Sequence, residues 1–262
     1  MLPYLKRLGA DLPDFDLSVP GVTSISVDLH KYAYAAKGVS ALLYRDEALR
    51  LPQYFAYADW PGYTMINPVV ASTRSGGPIA AALATLRHIG DQGYLELAAQ
   101  TRAAVEVLAA AVRETDGVRL YAPPETSVVC LAADGVDLFV LADELAARGW
   151  HTQPQLAYEK MAPTIHLTVT AAVASTAADF APDLADAVAA ARQPAELPPG
   201  LLELAGSLTT VTPEVISGLI DGLGFTPGGP MAAVNTLLNA APPALREALL
   251  TGFLSLLQRP SR

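Results

Sequence analysis

Only four lysines, Lys6, Lys31, Lys37 and Lys160, occur in this chain of 262 residues, beside thirteen arginines. Two of the four share one short stretch, Ser26-Val-Asp-Leu-His-Lys31-Tyr-Ala-Tyr-Ala-Ala-Lys37-Gly38. A lysine there can do what arginine cannot: its amine condenses with an aldehyde to give an imine, once burial or a nearby cation favours the neutral form. A second ammonium close by supplies that push. The plainer alternative is a pair of surface charges on a solvated loop. Other chemistries find no support in the residue pattern. His30, His88, His151 and His166 lack metal-ligand spacing with carboxylates, so no metal is expected. There is no G-x-S-x-G elbow, and no Walker or Rossmann glycine pattern.

The elements that must hold these lysines follow from the neighbouring patterns. Val22 to Asp28 is β-branched with loose alternation, and Val39 to Tyr44 is a second apolar run, so two neighbouring strands are predicted to flank the lysine loop. Gly76-Gly77-Pro78 opens a predicted helix, with proline near the first turn where a missing N–H costs nothing. A second helix is predicted from about Asp91 to Thr115. Downstream come strands at Val118–Tyr121 and Ser127–Leu131, a helix at Asp137–Arg148, a strand at Ile165–Thr170 and a helix at about Ser175–Ala191. That succession reads as a small α+β unit. The stretch Arg192 to Gly200 is a proline-rich linker, and Leu201 to Gln258 reads as short amphipathic helices. The expected division is therefore 1–90, 91–200 and 201–262. A two-stranded unit is marginal alone in water, so residues 1–90 are expected to be part of a larger sheet, with apolar faces and strand edges exposed in the absence of its other strands.

Composition narrows the classes further. With 52% hydrophobic and 16% charged residues the chain is expected to be globular. A formal charge of −9 argues against a nucleic-acid surface built on phosphate contacts. No apolar run is long enough to span a bilayer, and the charges near Met1 disagree with an export signal. A single cysteine, Cys130, permits no internal disulfide, which fits a reducing, cytoplasmic setting.

The segment Val22-Thr-Ser-Ile-Ser-Val-Asp-Leu-His-Lys-Tyr-Ala-Tyr-Ala-Ala-Lys-Gly38 resembles the Schiff-base segment of the sphingosine-1-phosphate lyases. These form a branch of the pyridoxal-phosphate-dependent group II decarboxylase family, with the α/β aspartate-aminotransferase fold (fold type I). Ala58-Asp-Trp60, Ala71-Ser-Thr-Arg-Ser-Gly-Gly77, Gly93-Tyr-Leu95, Gly149-Trp150 and Ile165-His-Leu-Thr-Val-Thr170 agree in the same order. The likeness runs from about Leu2 to about Phe225. It implies an incomplete large domain followed by a small α+β domain and a helical tail.

The resemblance also implies roles. Lys31 would form the Schiff base with pyridoxal phosphate, His30 would lie near the cofactor phosphate, and Lys37 would hold phosphate or help move protons. A strand of Ser72, Thr73 and Arg74, then Gly76 and Gly77, would reach the cofactor phosphate of a second copy in a homodimer. Free N–H groups at a glycine-opened helix start make such an anion site physically reasonable. Leu29, Ala33, Ala36 and Ser75 stand where the family has Thr, Gly, Pro and Pro, and Tyr63 where it tends to have Gly. The family's ring aspartate and stacking histidine correspond to positions ahead of Leu2. Without that aspartate the pyridine nitrogen is not held protonated, which weakens the cofactor as an electron sink. Three activities follow as expectations. The first is cleavage of a phosphorylated sphingoid base to a fatty aldehyde and phosphoethanolamine. The second is decarboxylation of an amino acid. The third is a catalytically inactive fragment that needs a separate N-terminal chain.

Overall fold

The computed structural model describes residues 1–71, 73–197, 199–201, 212–222 and 229–258. The chain divides into two compact units, Met1–Arg102 and Ala103–Arg262. Among the described residues, no helix is long and apolar enough to cross a membrane.

The first unit begins with helix α1, Leu2–Arg7, where Lys6 and Arg7 in the last turn complement the helix dipole. Strands β1 (Ser24–Asp28) and β2 (Ser40–Tyr44) pair antiparallel, with Ser24 opposite Tyr44 and Asp28 opposite Ser40. The two predicted strands are thus present, each a little shorter than the apolar run that announces it. Helix α2, Glu47–Arg50, starts at Asp46, whose carboxylate accepts the Leu49 N–H. A second hairpin, β3 (Phe55–Tyr57) with β4 (Met65–Asn67), follows and has no counterpart among the predicted elements. Each sheet of this unit has two strands, and Leu42, Leu43, Phe55, Tyr57 and Ile66 are exposed on them. The exposed apolar surface expected for residues 1–90 is therefore there.

Helix α3 runs from Gly76 to Glu114 and is broken at Gly90, where φ 65° and ψ 176° leave the helical region. That break separates the two helices that the sequence pattern predicts. A residue with a side chain adopts this conformation only under strain, so glycine sets the position of the break.

In the second unit, β5 (Val118–Leu120), β6 (Val128–Ala133), β7 (Gln153–Gln155) and β8 (Thr164–Thr168) form an antiparallel sheet in the order β5-β6-β8-β7. Helix α4, Leu138–Ala147, is capped by Asp137, whose carboxylate accepts the N–H groups of Phe139 and Val140. Helix α5, Phe180–Ala190, follows two short 3-10 turns. Val129 and Leu131 of β6 and Ile165 and Leu167 of β8 alternate into a core with Leu141, Leu145, Phe180 and Leu184. This is the α+β unit that the pattern implies, with β7 added at the edge. Pro154 is tolerated there because an edge strand need not donate every N–H.

The tail contributes α6 (Pro213–Gly222), α7 (Ala232–Ala240) and α8 (Pro243–Leu257). The parts of the predicted tail helices at 202–211 and 223–228 lie outside the described residues. Ile216, Leu219, Leu237, Leu245 and Leu249 form a small core of their own. The tail is also tied to the rest of its unit. Met231, at the start of α7, has no capping side chain, and Asp143 of α4 replaces one, accepting the N–H groups of Met231 and Ala232. Asn239 in turn accepts the Ala157 N–H at 2.7 Å.

Candidate active site

The loop between β1 and β2 carries His30, Lys31 and Lys37, and its backbone is pinned from inside. Leu29 N–H donates to Val39 C=O at 3.3 Å, and Ala35 N–H donates to Leu29 C=O at 3.0 Å. Lys31 N–H donates to Asp28 C=O at 3.1 Å, which turns the chain back over the end of β1. Ala35 is buried, and Tyr34 adopts φ 56°, a left-handed conformation that costs about 1–3 kcal/mol in a residue with a side chain. From α3 the Tyr94 hydroxyl donates to Ala33 C=O at 2.7 Å, so a buried tyrosine clamps the middle of the loop. Burial pushes the Tyr94 hydroxyl above its ordinary pKa, with Tyr4 and Tyr34 adding to the effect, so it stays a donor across the physiological range.

Lys31 Nζ lies 2.7 Å from Asp28 Oδ2, and Ser40 Oγ donates to Asp28 Oδ1 at 2.5 Å. The hydrogen bond from Lys31, then that from Ser40, lowers the Asp28 carboxyl to about 2. Its contribution to the fold is therefore present above its ordinary value of 3.8 and lost only as pH falls through about 2. His30 is half-buried, with Nδ1 3.4 Å from Val39 C=O. Lys37 is exposed.

The second motif meets the first at one point. Gly38, beside Lys37, has φ +127°, and a Cβ on it would stand 3.1 Å and 3.2 Å from the Cβ and Cγ of Pro78. The start of β2 thus abuts the start of α3, bringing the lysine loop and Gly76-Gly77 together. A Cβ on Gly76 would meet nothing within 4 Å, so there is open space beside the start of α3, whose first N–H groups have no partner within the helix. Gly38→Ala combines a left-handed backbone with this contact and is expected to loosen the junction by about 1–3 kcal/mol. A thermal melt of the variant, with proteolysis between β1 and β2 as the local readout, measures it.

One expectation is corrected. Thr73 sits at a bend and Arg74 in no regular element, both exposed, so they form no strand; Ser72 lies outside the described residues. The chain there turns directly into α3 and pairs with no described strand, and an unpaired segment has no ladder to hold it extended. Three further residues of the site, Asp28, Ser40 and Tyr94, receive no role from the residue pattern. The Asp28–Lys31 spacing is visible in it, whereas the parts played by Ser40 and Tyr94 depend on register and on long-range packing.

The lysine loop and the open helix start fit pyridoxal phosphate: an amine for its aldehyde, and N–H groups and cationic side chains for its phosphate. Comparison with known proteins points the same way. Residues 182–256 match the family described as "Pyridoxal-dependent enzyme, C-terminal putative HTH domain". The sphingosine-1-phosphate lyase of Arabidopsis thaliana is 34% identical over 208 residues, which are 79% of this chain and 38% of that protein. The chain spans 34–38% of the length of the first curated relatives it matches. The solved sphingosine-1-phosphate lyase of Burkholderia pseudomallei K96243 is 37% identical with a TM-score of 0.67, over 73% of this chain and 43% of that one. Glutamate decarboxylase of Lactobacillus brevis CGMCC 1306 shares the fold, with a TM-score of 0.60 at 21% identity over 74% of this chain and 45% of that one. The chain is therefore similar to the sphingosine-1-phosphate lyases over most of its own length and shares the fold of the pyridoxal-phosphate-dependent enzymes of fold type I, with residues 182–256 matching a C-terminal domain of such enzymes.

Proposed function

We propose that this chain carries the Schiff-base lysine and the phosphate-binding side of a pyridoxal-phosphate-dependent carbon–carbon lyase. Its substrate is a phosphorylated sphingoid base, and its products are a fatty aldehyde and phosphoethanolamine. The observation that carries the reading is the junction of Gly38 with Pro78, which sets the His30-Lys31 loop against the glycine-opened start of α3. Lys31 supplies the amine that holds the cofactor and yields its place to the substrate amine. Lys37, on the same loop, offers an ammonium to phosphate or a proton at its Nζ. His30 borders the phosphate, while Thr73, Gly76 and Gly77 offer a hydroxyl and N–H donors to it. When bound, the cofactor supplies an electron sink for the bond that breaks. The assembly we propose is a homodimer working in the cytoplasm, with Thr73 to Gly77 serving the site of the second copy.

The test is chemical. Incubation with pyridoxal phosphate, borohydride reduction and peptide mapping should place the pyridoxyl group on Lys31. A label confined to Lys37 reverses the roles of the two lysines. The exposed Leu42, Leu43, Phe55, Tyr57 and Ile66 favour a second reading, in which the cofactor site forms only when further polypeptide covers the two hairpins. In that case pyridoxal phosphate added to this chain alone leaves Lys31 no more labelled than Lys160.

A further inference from the structure

Asp28 is a charged group at the edge of the lysine loop to which the proposed chemistry gives no task. It ends β1, opposite Ser40 in the strand register, and both of its carboxylate oxygens are engaged. Ser40 Oγ donates to one oxygen, and Lys31 Nζ stands 2.7 Å from the other. The turn closed by Lys31 N–H on Asp28 C=O folds the lysine back onto the carboxylate. With side chains 64% and 32% exposed, the Lys31–Asp28 pair adds little to stability. Its effect lies in where it keeps the amine.

We propose that Asp28, oriented by Ser40, is a positioning residue that parks the Lys31 amine at the end of β1 and restrains its reaction with aldehydes until the pair opens. This rests on the reading of Lys31 as the Schiff-base lysine. Condensation needs the nitrogen lone pair: nitrogen bonds to the aldehyde carbon, and water leaves with the carbonyl oxygen and both amine hydrogens. An ammonium engaged by a carboxylate must first be released and give up one proton to solvent. The other titratable group acting on Asp28 is His30, on the same loop. At neutral pH the carboxylate is fully ionised, so the restraint is in force where the cofactor binds.

The experiment uses the 262-residue chain, a short exposure to pyridoxal phosphate at neutral pH, borohydride, and quantified labelling at each lysine. Lys160, in the other unit, is the bystander, and Lys37 reports on the loop. Asp28→Asn should raise the initial Lys31:Lys160 labelling ratio by about two- to fivefold, the range open to an exposed ion pair, with Lys37 unchanged. Ser40→Ala should give a smaller rise in the same direction. Added salt of about 0.5 M should raise the ratio in the parent chain and not in Asp28→Asn. An unchanged or lower ratio in Asp28→Asn overturns the proposal. So does a rise shared by Lys37, which would mean a generally loosened loop. If Lys31 of the parent chain labels no better than Lys160, the reading in which this chain alone forms the cofactor site fails and this inference falls with it. That outcome is distinct from an Asp28→Asn variant that labels Lys31 like its parent.

Discussion

Lys31→Arg should abolish pyridoxyl incorporation at this position. In any preparation that cleaves a phosphorylated sphingoid base, it should lower turnover by at least about a thousandfold, or about 4 kcal/mol of transition-state stabilisation. Arginine keeps the positive charge and can still reach the Asp28 carboxylate, so the loop loses neither its ion pair nor its turn. What it loses is the amine, because a guanidinium does not deprotonate under these conditions and cannot replace the carbonyl oxygen of an aldehyde. The melting temperature should therefore match the parent while the label disappears. Turnover within tenfold of the parent would show that Lys31 is not the lysine that holds the cofactor.

A comparable loss, in stability instead of chemistry, is expected at Phe180. Its side chain is fully buried where α5 begins, and its ring meets Trp150 edge-on at 4.9 Å. Trp150 is itself fixed, its Nε1–H donating to Asp183 at 2.7 Å on the same helix as Phe180. Phe180→Ala removes a large ring from a core closed by Leu141, Leu145, Ile165 and Leu184 and leaves a cavity those neighbours cannot fill. The cost should be about 3–5 kcal/mol, a large share of the about 5–15 kcal/mol that holds a typical domain. Urea unfolding followed by tryptophan fluorescence measures it, since Trp150 reports on the cavity directly. A loss below about 1 kcal/mol would mean that the core is not packed as described.

Much of the fold and of the site is legible in the residue pattern, and the parts that are not share a cause. β1 and β2 are visible because their apolar runs are bounded by polar stretches. The break in α3 is visible because a glycine interrupts a long helical pattern. β3, β4 and β7 have three residues each, too few to establish a period of two, and β5, equally short, is legible only as part of the run Val118 to Tyr121; Gln153-Pro-Gln155 carries no β-forming side chain at all. At the site, the two lysines and the glycine pair are legible as residue types. Their meeting at Gly38 and Pro78 is not, because nothing local encodes a contact between segments so far apart in the chain. Ser40 is a similar case: it faces Asp28 only because the loop fixes the register, and one step of slip would turn it to the other side of the ribbon. The extended segment expected at Thr73 and Arg74 rests on likeness alone and has no apolar alternation behind it.

The carboxylate of Asp143 has a consequence for how the tail opens. By accepting the first N–H groups of α7 it makes the start of that helix conditional on α4, while Asn239 fastens the far end of α7 to the backbone at Ala157. The amides of Met231 and Ala232 can exchange with solvent only when that carboxylate lets go, so their protection tracks the opening of α4 and not the fraying of an appendage. The stretch matched to a helix-turn-helix carries two basic side chains, Arg192 and Arg246, against seven acidic ones, a poor balance for gripping a polyanion. Helix α7 is instead tied at both ends to the α+β core, and a nick or truncation inside it should be felt in α4.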